Sequence, residues 1–364
     1  MTLQQFRRTS VLFERLLIRT AVGAAIVAFA PAVAHPWGAA VHRFLTLQAV
    51  AHLPSIMTRF VQDSTYLSVH SVDADQRRVS GDTSLFAEDP RHYLDIDDYP
   101  NVAAIPRDLD SLIRLFGWER VKQNGTNPWA TVWTYDSLVV RLARGDWEQA
   151  LVAASDLAHY VADAHQPLHA TRNYNGQETG NTGIHSRYES TMLSSQYYLG
   201  ELFVTPAAAS YIGDPLAFAF DCLIHSQICV AEILAADNSA KASSGWSGSG
   251  TAPASYYAAL WQGTRDMTLD QARRAARAIA DLWYSAWVDA GLAPATQVRE
   301  VLRESAHAVR LDQNFPNPVF VGSSPVHTGN TVTTLRFQLF RESHVRLEVF
   351  NLLGECVAVL VDGR

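Results

Sequence analysis

Cysteine is scarce in this chain, at three of 364 residues. Cys222 and Cys229 lie seven apart in a helical stretch, so they share a face but sit about 10 Å apart along the axis, too far to bridge. Cys356 falls in a different segment. A disulfide framework is thereby excluded, and packing must hold the fold. Charge is also sparse, at 18% of residues, and the formal net charge is −7. That balance excludes a strongly basic surface coated by nucleic acid, though not a local basic groove. Long apolar runs are missing as well. The stretch Ala21 to Ala30 (AVGAAIVAFA) covers ten residues, and a bilayer-spanning helix needs about 20. Strand-like alternation is scarce between residue 37 and about residue 292.

What is present sorts into four parts. Residues 1–34 read as a signal peptide. Arg7, Arg8, Arg15 and Arg19 form a basic n-region, Ala21 to Ala30 the apolar centre, and Ala32-Val33-Ala34 a small-residue cleavage signal. Arg7-Arg8 hints at a twin-arginine export signal. Residues 37–292 read as a mainly α, multi-helix domain, and 48% hydrophobic content supports a sizeable core. Apolar residues recur at 3–4 spacing over Phe44 to Leu53, Pro106 to Phe116, Thr131 to Arg144, Trp147 to His165, Ile184 to Tyr198, Pro215 to Ala235 and Leu269 to Ala290. Pro167 is expected to stop its helix near Gln166. The Gly/Ser-rich segment Asp237 to Ser255 reads as a mobile loop. Residues 293–310 form a linker. Residues 311–364 switch to period-two alternation with β-branched residues over Val332 to Leu339, Val345 to Asn351 and Val357 to Val361, a small β-rich module.

The densest chemistry lies between Asp156 and Glu189. His159 and Asp163 are spaced i,i+4, His169 follows just past the Pro167 break, and His185 with Glu189 repeats the i,i+4 spacing. Side chains four apart on a helix lie about 6 Å from each other at Cβ. A transition-metal ion takes such a pair, and imidazole with carboxylate suits zinc. Manganese or iron could use the same donors. Upstream, His42, Asp75 and His92 are further candidates. Asp73 and Asp82 compete with Asp75, and both read equally well as solvated loop acids. Asp95, Asp97 and Asp98 form an acidic turn suited to calcium or a lipid headgroup, but a solvated turn is the simpler reading. Trp246, Tyr256, Tyr257 and Trp261 flank the Gly/Ser loop, with plain packing as the default. His165 is expected behind the ligands or at the surface, His52 and His70 at the surface, and His225 on a helix face.

WGAAVH, HYLDIDDY, LAHYVADAHQPLH and GIHSRYES together resemble the zinc-dependent phospholipase C superfamily, which also contains the fungal and plant single-strand-specific three-zinc nucleases. The similarity covers roughly Trp37 to Gly291. Its most specific part is H-x3-D-x5-H with a downstream H-x3-[DE]. The resemblance implies up to three Zn2+ ions. One would be held by Asp75, His92, His159 and Asp163, and a second by His169, His185 and Glu189. A third would be held by His42, a bridging Asp163, and the α-amino and carbonyl groups of Trp37. It also implies metal-activated water as the nucleophile, with Asp75 as the catalytic residue that orients or deprotonates it. Ligation by the Trp37 amine requires removal of His35-Pro36 after cleavage behind Ala34.

At the other end, LDQNFPNPVF and LRFQLFRESHVRLEVFNLLGECVAVLVDG resemble the C-terminal sorting domain of type IX-secreted bacterial proteins. The resemblance implies export to the cell surface or medium, with the secretion machinery as a partner. That family's module continues for several more strands, so a truncated, incomplete β-sandwich is expected here.

The two enzyme branches differ in detail. The Trp37-x4-His42 spacing is similar to the nucleases. His185-x3-Glu189 and the short gap from His169 to His185 are similar to the phospholipases. The expectation is a secreted, monomeric zinc phosphodiesterase of the phospholipase C kind acting on phospholipid at a membrane surface. The alternative is a nuclease acting on single-stranded nucleic acid, and a third reading is an exported metal-binding protein without catalysis.

Overall fold

The computed structural model describes residues 38–79, 82, 87–193 and 196–293, together with 309–311, 335, 337–339, 345–350 and 356–363. The signal, Trp37, most of the linker and much of the C-terminal module lie outside these. The described chain is mainly α, as expected. Its helices are α1 (Ala39–Val50), α2 (Thr58–Gln62), α3 (Ser64–His70), α4 (Asp73–Gln76), α5 (Leu109–Phe116), α6 (Trp118–Asn124), α7 (Asn127–Ala143), α8 (Trp147–Ala164), α9 (Gln196–Leu199), α10 (Pro215–Ile228), α11 (Val230–Ser244) and α12 (Ala254–Asp289). The short 3-10 turns Asp89–His92 and Pro167–Ala170 and a π-helical turn, Ser186–Met192, carry much of the chemistry.

At the centre lies α8. Every residue from Leu157 to Ala164 is buried, so this helix has no solvent face at its C-terminal end. A helix enclosed on all sides must be small or apolar around its circumference, and the alanines of ALVAASDLAHYVADA meet that demand. They let α7, α12 and α3 approach closely, and these helices with α1 and α10 surround it. Trp283 of α12 is fully buried, donates its indole N–H to the Ala154 carbonyl at 3.0 Å and packs against Phe60 at 5.3 Å between ring centroids. A second apolar cluster gathers Leu94, Ile96, Leu112, Trp129, Phe220 and Leu223 under the acidic turn.

Local signals place the ends. Asp108 caps α5 by accepting from Ser111 N at 2.8 Å, and Asp214 caps α10 through Ala217 N at 3.0 Å, with Pro215 in the first turn. Pro167 does end its helix, since α8 stops at Ala164 and the chain enters a 3-10 turn. Gly125 has φ +92°, and a Cβ there would collide with the Tyr93 carbonyl. The close crossing lets Thr126 N reach Pro90 O at 2.6 Å and Asn127 N reach Tyr93 O at 3.1 Å, which fixes the segment containing His92.

Several boundaries differ from expectation. Helix α1 begins at Ala39, so His42 is helical. The apolar stretch 215–235 is two helices that meet at Cys229. The expected loop 237–255 is helical to Ser244, where Gly245 in the left-handed conformation (φ +69°) closes α11. Helix α12 starts at Ala254 and runs 36 residues, about 54 Å at 1.5 Å per residue, because Tyr256, Leu260, Trp261 and Thr264 extend its buried stripe. Ala240, Tyr256 and Trp261 all point into the core. Burial of one face therefore overrode the loop reading at both ends, while Gly245 to Pro253 stays outside helix as expected. Cys222 and Cys229 are free thiols. In the C-terminal region β1 (Val309–Leu311) pairs antiparallel with β2 (Phe337–Leu339), and β3 (Val345–Phe350) pairs antiparallel with β4 (Cys356–Gly363) with two register irregularities. Strand β1 begins inside the span expected to be linker.

Replacing Trp283 with Ala removes a fully enclosed side chain and its hydrogen bond. The change should cost about 3–5 kcal/mol, read as a lower urea midpoint for unfolding at unchanged slope.

Candidate metal centre

Eight side chains from six regions of the sequence converge inside the helical core. Helix α1 supplies His42, α4 supplies Asp75, the 3-10 turn Asp89–His92 supplies His92, and α8 supplies His159 and Asp163. The turn Pro167–Ala170 supplies His169, and the π turn with its preceding residue supplies His185 and Glu189. They form three groups, of which the first two share His159: His42, His159 and Asp163; Asp75, His92 and His159; and His169, His185 and Glu189. All eight were candidates from sequence. The ninth, Trp37, lies outside the described residues.

The tightest arrangement surrounds Asp163. Its Oδ2 lies 2.9 Å from His92 Nδ1 and 3.1 Å from His159 Nε2, and those two nitrogens are 2.9 Å apart. Asp75 Oδ1 completes a four-donor cage at 3.6 Å from His92 Nδ1 and 3.7 Å from His159 Nε2. Four donors at tetrahedral zinc bond lengths stand about 3.3–3.5 Å from one another, so the donor spacing brackets that of a zinc cage. The other oxygen of Asp163, Oδ1, faces His42 Nε2 at 3.4 Å. The two oxygens of one carboxylate thus look into two adjacent groups, as a bridging ligand must.

Backbone carbonyls orient the rings. His159 Nδ1 pairs with Ser71 O at 2.7 Å, which leaves Nε2 for the cage. His169 Nδ1 pairs with His92 O at 2.9 Å, which leaves Nε2 for the third group. A second nitrogen tied to a carbonyl or carboxylate is how metal-ligating histidines are held. In the third group Glu189 Oε1 is 3.0 Å from His185 Nε2, and Oε2 is 3.6 Å from His169 Nε2. The His169 and His185 rings stack 5.2 Å apart.

The electrostatics of this buried set are strained toward charge. Burial by itself would raise Asp163, but the charges of His159 and His169 and the hydrogen bonds from His159 and His42 outweigh it and hold the carboxyl well below the usual range. Burial pulls His159 down, yet Asp163 and Asp75 push it up to about 9. Burial and the neighbouring His159 together lower His42. Glu189 is held at about 2, since His185 and His169 overcome its desolvation. Asp75 Oδ2 is buried and accepts no hydrogen bond, while Asp75 Oδ1 and Asp163 Oδ1 have Arg78 Nη2 at 3.1 Å and His42 Nε2 at 3.4 Å beside them, without well-aligned hydrogen bonds. Buried polar atoms are normally satisfied. Convergent, hydrogen-bond-poor carboxylate oxygens beside oriented imidazoles are a donor set that fits a divalent metal ion.

Two supporting residues escaped the sequence reading. Gln166 is fully buried and donates Nε2 to Glu189 Oε2 at 2.7 Å, while its Oε1 accepts from Leu168 N at 2.7 Å. Glu88 stands behind His92, with Oε1 3.6 Å from Nε2. It also accepts from the Tyr160 hydroxyl and from Arg77 Nε at 3.3 Å. Burial would raise Glu88, but His92, Tyr160 and Arg77 gathered on it hold it at about 2. Gln166 was legible as the neighbour of a helix-breaking proline inside the motif. Glu88 follows a segment without periodicity, and no local signal singled it out.

The competing acids resolve differently. Asp73 pairs with His70 at 2.7 Å on the surface, and Asp82 offers its carbonyl to Lys122. Asp97 accepts from Thr171 Oγ1 and Arg172 N, and Asp98 pairs with Arg120 at 2.9 Å and accepts from Asn124. The acidic turn is therefore tied by the chain itself. His165 is buried, bonds Val161 O at 2.8 Å and is depressed to about 4 by burial, so it is a neutral core histidine. His52, expected at the surface, is 4% exposed and faces the Ala207 backbone at 2.8 Å.

No protein-family model and no curated protein matches this chain. Among solved structures it is similar to the alpha-toxin of Clostridium perfringens, from an avian strain, at 14% identity over 75% of this chain and 67% of that one. The TM-score is 0.31, too distant a likeness to argue from.

Replacing Asp163 with Asn should remove the shared donor of two groups. Zinc retained after dialysis, read by elemental analysis, should fall by more than one equivalent per chain. Replacing Glu88 with Gln should weaken binding about 10–100-fold in a chelator competition, with the helical content of the chain unchanged.

Proposed function

We propose that this chain is a secreted zinc-dependent phosphodiesterase that hydrolyses phospholipid headgroup esters in the manner of a phospholipase C. The observation that carries the reading is the four-donor cage with Asp163 facing a second group through its other oxygen. Asp75, His92, His159 and Asp163 would hold one Zn2+, His169, His185 and Glu189 another, and His42 with Asp163 a third, alongside the Trp37 terminus. Bound zinc supplies Lewis acidity toward a phosphoryl oxygen and makes water acidic enough to attack at neutral pH.

The chain's own groups do the rest. Three carboxylates meet the six positive charges of three divalent ions, so the loaded site is net positive and attracts one phosphodiester anion. Asp163 sets the spacing between the two groups it faces. Asp75 has a second buried oxygen, Oδ2, with no hydrogen bond, and Arg78 Nη2 lies 3.1 Å from Oδ1. Arg78 pairs with Oδ1, and Oδ2 is the atom proposed to orient the attacking water and take its proton.

The surroundings favour lipid over nucleic acid. A cavity of about 450 Å3 adjoins the segment following His169, and Asp97, Glu178, Ile228, Val230 and Leu234 line it. Acidic side chains repel a polyphosphate strand, whereas an apolar wall with Ile228 65% exposed suits an acyl interface. One feature favours the nuclease reading. Tyr174 is 49% exposed and meets His185 edge-on at 5.6 Å, a ring on which a base could stack. Export by residues 1–34 and sorting by the C-terminal strands belong to the same proposal.

The test is to assay the zinc-loaded full chain in parallel on phosphatidylcholine vesicles and on single-stranded DNA. Release of phosphocholine is expected, and cleavage of DNA alone would replace the lipid reading with the nuclease one. Asp163→Asn should lower turnover on either substrate by more than about a hundredfold, because loss of a ligand exceeds the 10–100-fold effect of groups behind ligands. Inertness toward both substrates after zinc loading would leave a binding protein without catalysis.

A further inference from the structure

His185 and Glu189 can share an ion only if the π turn between them keeps its pitch, and the group that holds it comes from a distant helix. Asp237 of α11 is fully buried. Its Oδ1 accepts from Arg187 Nη2 at 3.0 Å and from the Tyr256 hydroxyl, and its Oδ2 accepts from Asn181 Nδ2 at 2.6 Å and pairs with Lys241 Nζ at 2.5 Å. Arg187 stands midway between His185 and Glu189 in sequence, with its side chain directed to α11 and α12 rather than to the donors. Its other contacts are as specific. Nε donates to the Tyr256 hydroxyl at 2.9 Å, Nη1 to Thr182 O at 2.8 Å and Nη2 to Asn181 O at 3.1 Å. The Trp246 ring covers the guanidinium at 5.2 Å. Gly183 leaves room for it, since a Cβ there would stand 2.6 Å from Nη1.

A planar guanidinium with donors in a rigid fork is oriented by such contacts in a way an apolar side chain is not. The fork ties the backbone just ahead of the π turn to α11 and α12 together. We propose that Asp237 and Arg187 are positioning residues for the His169–His185–Glu189 group, so that metal affinity at this group is set from α11 independently of the groups around Asp163. The inference rests on the reading of these donors as a metal site.

The test uses the full chain and two conservative variants, Asp237→Asn and Arg187→Lys. Zinc affinities are read by stepwise chelator competition. Co2+ is substituted in parallel, so that the visible absorption of each site reports its geometry. Asp237→Asn should weaken one metal equivalent about 10–100-fold and change the Co2+ spectrum of that equivalent, while the remaining equivalents and the far-ultraviolet circular dichroism stay as in the parent. Arg187→Lys keeps the charge but loses the fork, and it should weaken the same equivalent. If Asp237→Asn does not fold, Arg187→Lys decides by the same titration. Equal affinities in parent and variants, or uniform weakening of every equivalent, would overturn the inference and leave the metal reading standing. A parent chain that binds no metal at all would overturn both.

Discussion

Three carboxylates and five imidazoles are gathered out of water in the core of a helical domain, and much of the surrounding architecture answers that constraint. Taking ionised carboxylates into low dielectric is expensive unless opposite charge or directed donors meet them. Asp163 is the sharpest case, because it is fully buried and stands between His42, His92 and His159. A set of like-charged and mutually close donors is stable only with compensation from within. Here it comes from protonated imidazole or a metal ion, and from a surround of carbonyls and carboxylates that fixes which nitrogen points inward.

Helix α8 makes the gathering feasible. Its small residues allow the neighbouring helices to close around His159 and Asp163, and its end at Pro167 redirects the chain so that His169 approaches from another direction. Residues behind the donors then divide the work. Ser71 O and His92 O select ring nitrogens, Glu88 backs His92, Gln166 steadies Glu189, and the Arg187–Asp237 pair holds the π turn. A π turn is an unfavourable local choice, and such turns concentrate at functional sites. The pitch it imposes is one that Tyr188 and Met192, both fully buried, reinforce by packing.

Helix content and the donor pairs were legible because both rest on local periodicity. His159 with Asp163 and His185 with Glu189 are four apart, and that spacing has a geometric meaning before any fold is known. Composition was right for Gly245 to Pro253, which lies outside helix, but misled at the two ends of Asp237 to Ser255. The buried stripe of Ala236, Asp237 and Ala240 and that of Tyr256, Leu260 and Trp261 made those ends helix instead. The same misreading hid Asp237, which is locally one acid beside an asparagine and a serine. Glu88 was hidden for a related reason, since its partners lie far away in sequence, and Gln166 was legible as the neighbour of Pro167 but not as the partner of Glu189.

The sequence by itself determined a mainly α chain, the stop at Pro167 and eight donors of the right chemistry, because short-range backbone geometry and side-chain type are properties of neighbouring residues. Only the tertiary structure decided that Asp75 and not Asp73 or Asp82 joins His92 and His159, and that the two oxygens of Asp163 face different groups. It also decided that Asp237 anchors the far side of the π turn. Those outcomes depend on the register between helices separated by tens of residues. Close packing in the core sets that register, and no local pattern encodes it.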